Sequence, residues 1–411
     1  MKVLLVNTSE SNGGAAIAAS RILEALRDEG IDVTMMVCSP ESHGEAVVSV
    51  GGRLQKQWCF IWERFVIWIN NRLSRKNLFK VSIADTGIDI TKTKEFKQAD
   101  IINLHWVNQG MLSLRGIGKI LRSGKQVVWT MHDMWPFTGI CHYAYDCSGY
   151  ENACGNCHFL HSPGRRDLSS LVFHRKKKMF SQAKNLSFVA VSSWLADRAR
   201  SSMLIKPFAV HVIPNVLPLD KFSIIDRSKA RNDLGIIEPY VISFGAARID
   251  DPIKGFNYLT EALRLLLESG NFKREEIRLL VFGNIRDASI LEKVPVPYSN
   301  LGYINDPGIM SQIYSASNTT VSSSLYETFG QTMIESMSCG SVPVSFNGSG
   351  QADIINHLSN GYLAERMSAK SLAEGIAWAL RCNISPTELH QSVINRYSGK
   401  IVAQQYLSIF K

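Results

Sequence analysis

Residues Ser324–Val344 read SLYETFGQTMIESMSCGSVPV, and two glutamates, Glu327 and Glu335, stand eight positions apart within them. Phe329-Gly330 lies between the pair, and Cys339-Gly340 and Pro343-Val344 follow it. Eight residues is slightly over two helical turns, but the first glutamate precedes the helical stretch and the second rides on it. Each carboxylate can therefore meet a different part of one ligand. Short apolar runs, NTTVSSS and SVPVSF, bracket the stretch. Continuous runs of this kind, rather than strict alternation, mark strands covered on both faces, as in a parallel α/β sheet.

The same pattern extends outward. YVISFGAARI and IRLLVFGN precede the stretch, and KVLLVN, VTMMVC, ADIINLHW, QVVWTMHD and SFVAVSS punctuate the first half, each followed by polar or helix-starting residues. After the first run, apolar spacing at Ile17, Ile22 and Leu26 with Gly30 as a stop predicts a helix. HVIPNV, residues 211–216, and the Pro-containing passage after it mark a domain boundary. The reading is an α/β chain of two Rossmann-like, doubly wound domains facing a cleft, over residues 1–215 and 216–390. A C-terminal helix over 391–411 is expected to return to the first domain.

The chain has 411 residues, too many for one ordinary core, with 45% apolar and 20% charged residues, the balance of a folded soluble protein. Its net charge of +9 lies wholly in residues 1–220, where 27 Lys and Arg face 18 Asp and Glu; residues 221–411 hold 18 of each. A basic half and a neutral half suggest one anionic partner: nucleic acid, a membrane surface or a phosphate-bearing substrate. No apolar run reaches the roughly 18 residues that span a bilayer. MKVLLVNTSE reads as a short strand without a signal-peptide core, so cytoplasmic residence is expected.

Ser11-Asn12-Gly13-Gly14 sits where the first strand feeds the first helix, and adjacent glycines let backbone N–H groups approach an anion there. The loop is not a GxGxxG fingerprint, and a plain tight turn is the more common explanation. GAARIDDPIKGF places Arg248 and Lys254 just after a strand, where two cations suit a diphosphate. The competing reading is two solvated surface cations.

Taken in order, Gly13-Gly14, His132-Asp133 after a first-half strand, VIPNV at the hinge, Arg248, Lys254 and Glu327-x7-Glu335 resemble the retaining glycosyltransferases of family 4. The resemblance covers nearly the whole chain and implies the GT-B fold. It implies transfer of a sugar from a UDP- or GDP-sugar to a glycan or lipid-linked acceptor in polysaccharide biosynthesis, with no catalytic metal. By the same resemblance Glu335 holds the ribose hydroxyls, and Glu327 lies near the donor sugar. Thr328, Phe329, Gly330 and Gln331 present backbone amides to sugar and phosphates at a helix start. Gly13 and Gly14 join the donor site, Gly302 and Tyr303 meet the base, and His132 contacts the transferred sugar. Arg248 and Lys254 neutralise the departing nucleoside diphosphate. The same-face route assigned to the family needs no enzyme base, so Glu327 is not named a nucleophile. Two other classes stay open: a zinc-containing nucleic-acid-binding protein, and a nucleotide-sugar epimerase of the same architecture.

Two segments depart from the simplest pattern. Cys141, Cys147, Cys154 and Cys157 fall within 17 residues, with His142, His158 and His161 close by. Such a cluster can hold a structural zinc, or it can be four reduced thiols or a stress-dependent disulfide. Residues 53–80 hold ten apolar residues among the twelve from Trp58 to Ile69, flanked on both sides by Lys and Arg. That composition suits a helix lying in a membrane interface; a buried core helix with a basic rim is the more frequent case for an apolar helix, but the family resemblance tips the reading towards the membrane. Arg165–Phe180 adds a second basic run, readable as a solvated face.

Overall fold

The computed structural model describes residues 1–41 and 46–410, and the end of the expected 391–411 helix, Lys411, lies outside them. The chain forms two compact units, one of Met1–Pro214 together with the residues from Val402 on, the other of Asn215–Ile401.

In the first unit, seven strands run β1 (Lys2–Val6), β2 (Asp32–Val37), β3 (Val47–Ser49), β4 (Ile101–Leu104), β5 (Gln126–Met131), β6 (Leu186–Ala190) and β7 (Val210–Val212). They form one sheet in the order β3-β2-β1-β4-β5-β6-β7, all neighbours parallel. The order reverses between β1 and β4, and ligands of such sheets gather outside the strand ends at that switch point. Six helices connect the strands: α1 (Gly14–Asp28), α2 (Arg53–Asn70), α3 (Lys94–Gln98), α4 (Leu114–Leu121), α5 (Leu168–Phe180) and α6 (Ser193–Ser201). The apolar runs behave as their composition dictates: all four residues of β4 are buried, and so are the last five of β5. Trp129 of β5 packs against Phe180 and Phe188 with ring centroids 6.2 and 6.1 Å away. Its truncation to alanine would cost about 3–5 kcal/mol, which measures how firmly β5 is seated.

The second unit carries β8 (Tyr240–Arg248), β9 (Ile277–Asn284), β10 (Tyr298–Asn300), β11 (Thr319–Ser322), β12 (Val342–Phe346) and β13 (Tyr362–Ala364). Their order is β10-β9-β8-β11-β12-β13, again parallel throughout, with the switch point between β8 and β11. Its helices are α7 (Arg227–Asp233), α8 (Phe256–Glu268), α9 (Pro307–Ala316), α10 (Gln331–Ser338), α11 (Ala369–Arg381) and α12 (Pro386–Tyr397). A thirteenth helix, α13 (Gly399–Ile409), ends the chain, so residues 391–411 hold parts of two helices where one was expected. The Tyr406 hydroxyl of α13 lies 3.1 Å from Thr130 Oγ1, and the Ile409 carbonyl accepts from Gln126.

Most helix starts take a side-chain cap, as Ser113 does for α4, Asp167 for α5 and Asp306 for α9. The starts of α1, α2, α8 and α10 do not, and at α1 and α10 Gly13 and Gly330 stand in positive-φ backbone with no side-chain bond to the first amides. The basic run of α5 departs from a solvated face at one residue. Lys176 is buried over the Trp135 ring at 3.5 Å and donates to the carbonyls of Trp135 and Thr138. Burial pulls its pKa down to about 7.

Candidate functional site

The loop after β8 and the loop after β11 are stitched together at the switch point of the second sheet. Leu325 N donates to Ile253 O at 2.8 Å, and Ser323 Oγ donates to Gly255 O at 2.8 Å. Gly255 has a φ of 66°, and a Cβ there would sit 2.1 Å from the Ser323 carbonyl, so only glycine allows the approach. The consequence is an ion pair across 73 residues of sequence: Lys254 Nζ lies 2.8 Å from Glu327 Oε2. Arg248, also at this strand end, faces Asp251 at 3.2 Å.

A third segment closes against the first two. Gly350 N donates to Glu327 O at 2.8 Å, and a Cβ on Gly350 would fall 2.1 Å from the Thr328 carbonyl. Around this junction several buried polar atoms have no hydrogen-bond partner among the described residues: Arg248 Nε, Asp250 Oδ1, Ser349 Oγ and Gln351 Oε1. Arg248 Nε and Asp250 Oδ1 stand 3.7 Å apart, too far to satisfy each other. An orphaned buried polar atom costs about 1–3 kcal/mol, so such atoms after β8 and after β12 mark places that a polar ligand can complete. Ser349 and Gln351 were not expected from the sequence, because their only signal is proximity to Glu327 and Thr328 in space.

Glu335 lies on α10 and is buried. Burial, with the Glu335 charge adding to it, pushes the thiol of Cys339 up to about 12. The helix begins at Gln331, so Thr328, Phe329 and Gly330 form the turn that leads into it, and the first two are buried. Gly302 spends both backbone groups internally, its carbonyl accepting from Gly283 N at 2.7 Å and its N–H donating to Asn300. Of the expected Gly302-Tyr303 pair, that leaves the exposed Tyr303 to meet a ligand.

In the first unit, His105 follows β4 and His132 follows β5. The Asn103 amide donates to Val128 O and Thr130 Oγ1, which orients its carbonyl oxygen toward His105 Nε2 at 2.8 Å. His105 therefore carries its proton on Nε2, and its Nδ1 accepts from His132 Nε2 at 2.9 Å. The relay leaves Nδ1 as the acceptor nitrogen of His132. Burial pushes His132 down to about 4, with Asp133 opposing, and pushes His105 well below its usual range. For Asp133, burial would raise the carboxyl. His142 at 2.6 Å and donors from Trp135 N and Trp106 Nε1 outweigh it and hold the group low. His132 and Asp133 were legible in the sequence and His142 was read only as a neighbour of the cysteines; Asn103, His105 and Trp106 were missed, although polar residues ending the run ADIINLHW were a signal.

The two low histidines have a pH consequence. Each is neutral when folded and protonated when unfolded below its ordinary value, so the unfolded chain binds more protons. Stability is expected to fall as pH drops from about 6.5 toward about 4. Thermal melts across that window check it, and a His132→Gln variant should show a flatter profile.

At the Gly13-Gly14 loop, Glu41 accepts from Ser11 and Asn12, and Glu10 accepts from the Glu41 amide. A Cβ on either glycine would meet no atom within 4 Å, so the loop is open. Its neighbouring side chains are carboxylates rather than cations.

The structure gives the zinc reading no support. Cys141, Cys147, Cys154 and Cys157 line one cavity of about 20 Å³ with Ile140 and Ala144, but all four are free thiols. No group of three or more His, Cys, Asp or Glu among the described residues is placed to hold a metal ion. Cys141 is buried while Cys147 is exposed, and burial raises Cys154 to about 12 and Cys157 to about 11. Thiols held neutral in this way pack as small apolar groups.

Comparison with known proteins bears on the whole chain. Residues 12–221 match the family model described as Glycosyltransferase Family 4, and residues 226–396 match Glycosyl transferases group 1. An uncharacterized glycosyltransferase of Methanocaldococcus jannaschii is 22% identical over 364 residues, covering 82% of this chain and 90% of that one. A putative colanic acid biosynthesis glycosyl transferase of Escherichia coli is 22% identical over 325 residues, covering 76% of each. Among solved structures, a glycosyltransferase from Rickettsia africae superposes with a TM-score of 0.67 at 16% identity, covering 100% of this chain and 97% of that one. An Anabaena protein crystallised with UDP and glucose gives 0.63 at 16% identity, covering 99% and 98%. These likenesses give the two parallel sheets the GT-B fold.

Proposed function

Since the chain belongs to glycosyltransferase family 4 and is a retaining enzyme using nucleotide-sugar donors, we propose that it transfers a hexose from a UDP-sugar to a glycan or lipid-linked acceptor in polysaccharide synthesis. The observation that carries this reading is the Lys254–Glu327 pair at the carboxyl end of the second sheet, where neighbouring segments carry buried polar atoms without a partner among the described residues. The uridine assignment is supported by the Anabaena protein seen with UDP. The pathway is supported by the colanic acid enzyme's name. The transferase reading displaces the nucleic-acid-binding and epimerase readings.

The chemistry follows from the residues. The bond between the sugar's anomeric carbon and the diphosphate oxygen breaks, and negative charge grows on the leaving group. Lys254 and Arg248 meet that charge as fixed cations in place of a metal. Glu327 holds Lys254 in position and flanks the sugar. The acceptor oxygen attacks from the face the diphosphate leaves, and its proton passes to the leaving phosphate. His132, with its acceptor nitrogen set by His105, takes a hydrogen bond from a hydroxyl of the transferred sugar. Glu335 accepts from the two ribose hydroxyls, a task for which a carboxylate has paired acceptors.

A thermal-shift panel of UDP, GDP, ADP and their sugar conjugates tests the donor class. A ligand at 100 times its Kd adds about 2.7 kcal/mol of stability, and uridine nucleotides are expected to give the largest shift. A larger guanosine response would reassign the base, and silence from all of them in folded protein would overturn the site. Glu335→Gln is expected to weaken UDP binding about 10–100-fold by losing charged hydrogen bonds, read by calorimetry. Unchanged affinity would remove Glu335 from the ribose.

A further inference from the structure

The helix α2 is inside out. Its buried face carries Glu63 and Arg64, together with Cys59 and Ile67. Glu63 Oε1 accepts from the amides of Ile83 and Ala84 at 2.7 and 2.9 Å, and Glu63 Oε2 pairs with Arg64 at 3.0 Å. Arg64 also donates to the carbonyls of Leu78 and Val81. Polar bonds thus dock the helix, and the opposite face is apolar: Leu54, Trp58, Ile61, Phe65 and Ile69 are between 44% and 82% exposed. Their spacing of three and four residues lines them along one side for about 22 Å. Trp58, Trp62, Phe65 and Trp68 stack in succession along the flank, with centroids 5.6, 5.9 and 6.1 Å apart. Leu73 and Phe79 extend the exposed apolar surface past the helix. A core helix with a basic rim, one of the two sequence readings, would bury these residues and expose the charged pair.

We infer that this face seats the first unit on an anionic lipid bilayer, with α2 lying in the interface. The charges select the occupant. Glu63 is the only carboxylate in residues 53–80 and it is buried, whereas Arg53, Arg72, Arg75, Lys76 and Lys80 are exposed. Trp62 bonds to Asp85. Asp85 in turn lines a groove of about 830 Å³ walled by Arg115, Lys119, Arg122, Arg175 and Lys178. An apolar stripe with interfacial tryptophans, bordered by cations and a basic groove, matches acyl chains beneath anionic headgroups. A second copy of the same face would oppose like charges and is disfavoured. The inference rests on this face and not on the donor site, so the two fail separately.

Co-sedimentation of the full chain with phosphatidylcholine vesicles, and with equimolar phosphatidylcholine and phosphatidylglycerol, tests it. The protein should pellet with the anionic vesicles, stay largely in solution with the neutral ones, and release as salt rises. Trp58→Glu with Phe65→Glu should abolish pelleting while the melting temperature and UDP shift hold, because both side chains are exposed. Arg75→Gln with Lys76→Gln should lower anionic partitioning about thirtyfold, at about 1 kcal/mol per cation. Wild type that ignores both vesicles, or binds them equally, overturns the inference. So does a dimer in light scattering that the Trp58→Glu, Phe65→Glu protein loses, which would give the face to a second copy.

Discussion

Lys254→Ala is expected to lower turnover about 10²–10³-fold with little change in the apparent affinity for the donor. The lysine meets charge that is larger in the transition state than in the bound donor, so its loss should fall on kcat. Its removal also leaves Glu327 without its partner at 2.8 Å, and an unpaired carboxylate beside a diphosphate adds repulsion. The double variant Lys254→Ala, Glu327→Gln should therefore recover part of the loss, with a coupling of about 0.5–3 kcal/mol. Steady-state kinetics with a saturating acceptor separate the outcomes. A raised KM at unchanged kcat would show that Lys254 binds ground state and transition state alike, and would contradict its electrostatic role.

The second large effect is expected at His132. Its replacement by alanine should cost about 10²-fold or more in transfer, through loss of a positioned contact to the sugar. Donor-nucleotide binding should persist, because Lys254 and Glu335 belong to the other unit. The relay behind it supplies the internal control. His105→Gln keeps bulk next to His132 but no longer dictates which ring nitrogen carries the proton, and an intermediate loss of about tenfold is expected. Near-normal transfer by His132→Ala would make the histidine a packing residue, and the Asn103–His105–His132 chain a purely structural one.

The sequence by itself determined the alternation of buried runs and helices, and with it two parallel α/β units. That information is local: a strand covered on both faces must be largely apolar, and it shows as such in VLLV of β1 or in IINL, where Asn103 is the one polar exception, without any neighbour in view. The candidate donor residues were legible for a related reason. In parallel sheets ligands collect at strand ends, so polar residues that follow an apolar run, such as Arg248, Lys254 and Glu327, announce themselves. Tertiary structure alone decided which of them meet. The Lys254–Glu327 pair spans 73 positions and the His105–His132 contact 27, and neither separation carries a periodicity that a linear reading can detect. The cysteine cluster needed three dimensions for the same reason, because spacing suggests a ligand set while placement shows that the four side chains line one cavity. For α2 the residues alone favoured a core helix, and only the family resemblance tipped the reading towards a membrane. Composition counts apolar residues, but which side of a helix faces inward depends on its anchors. Here the backbone amides of Ile83 and Ala84 and the carbonyls of Leu78 and Val81 bind Glu63 and Arg64, and they turn the tryptophan face outward.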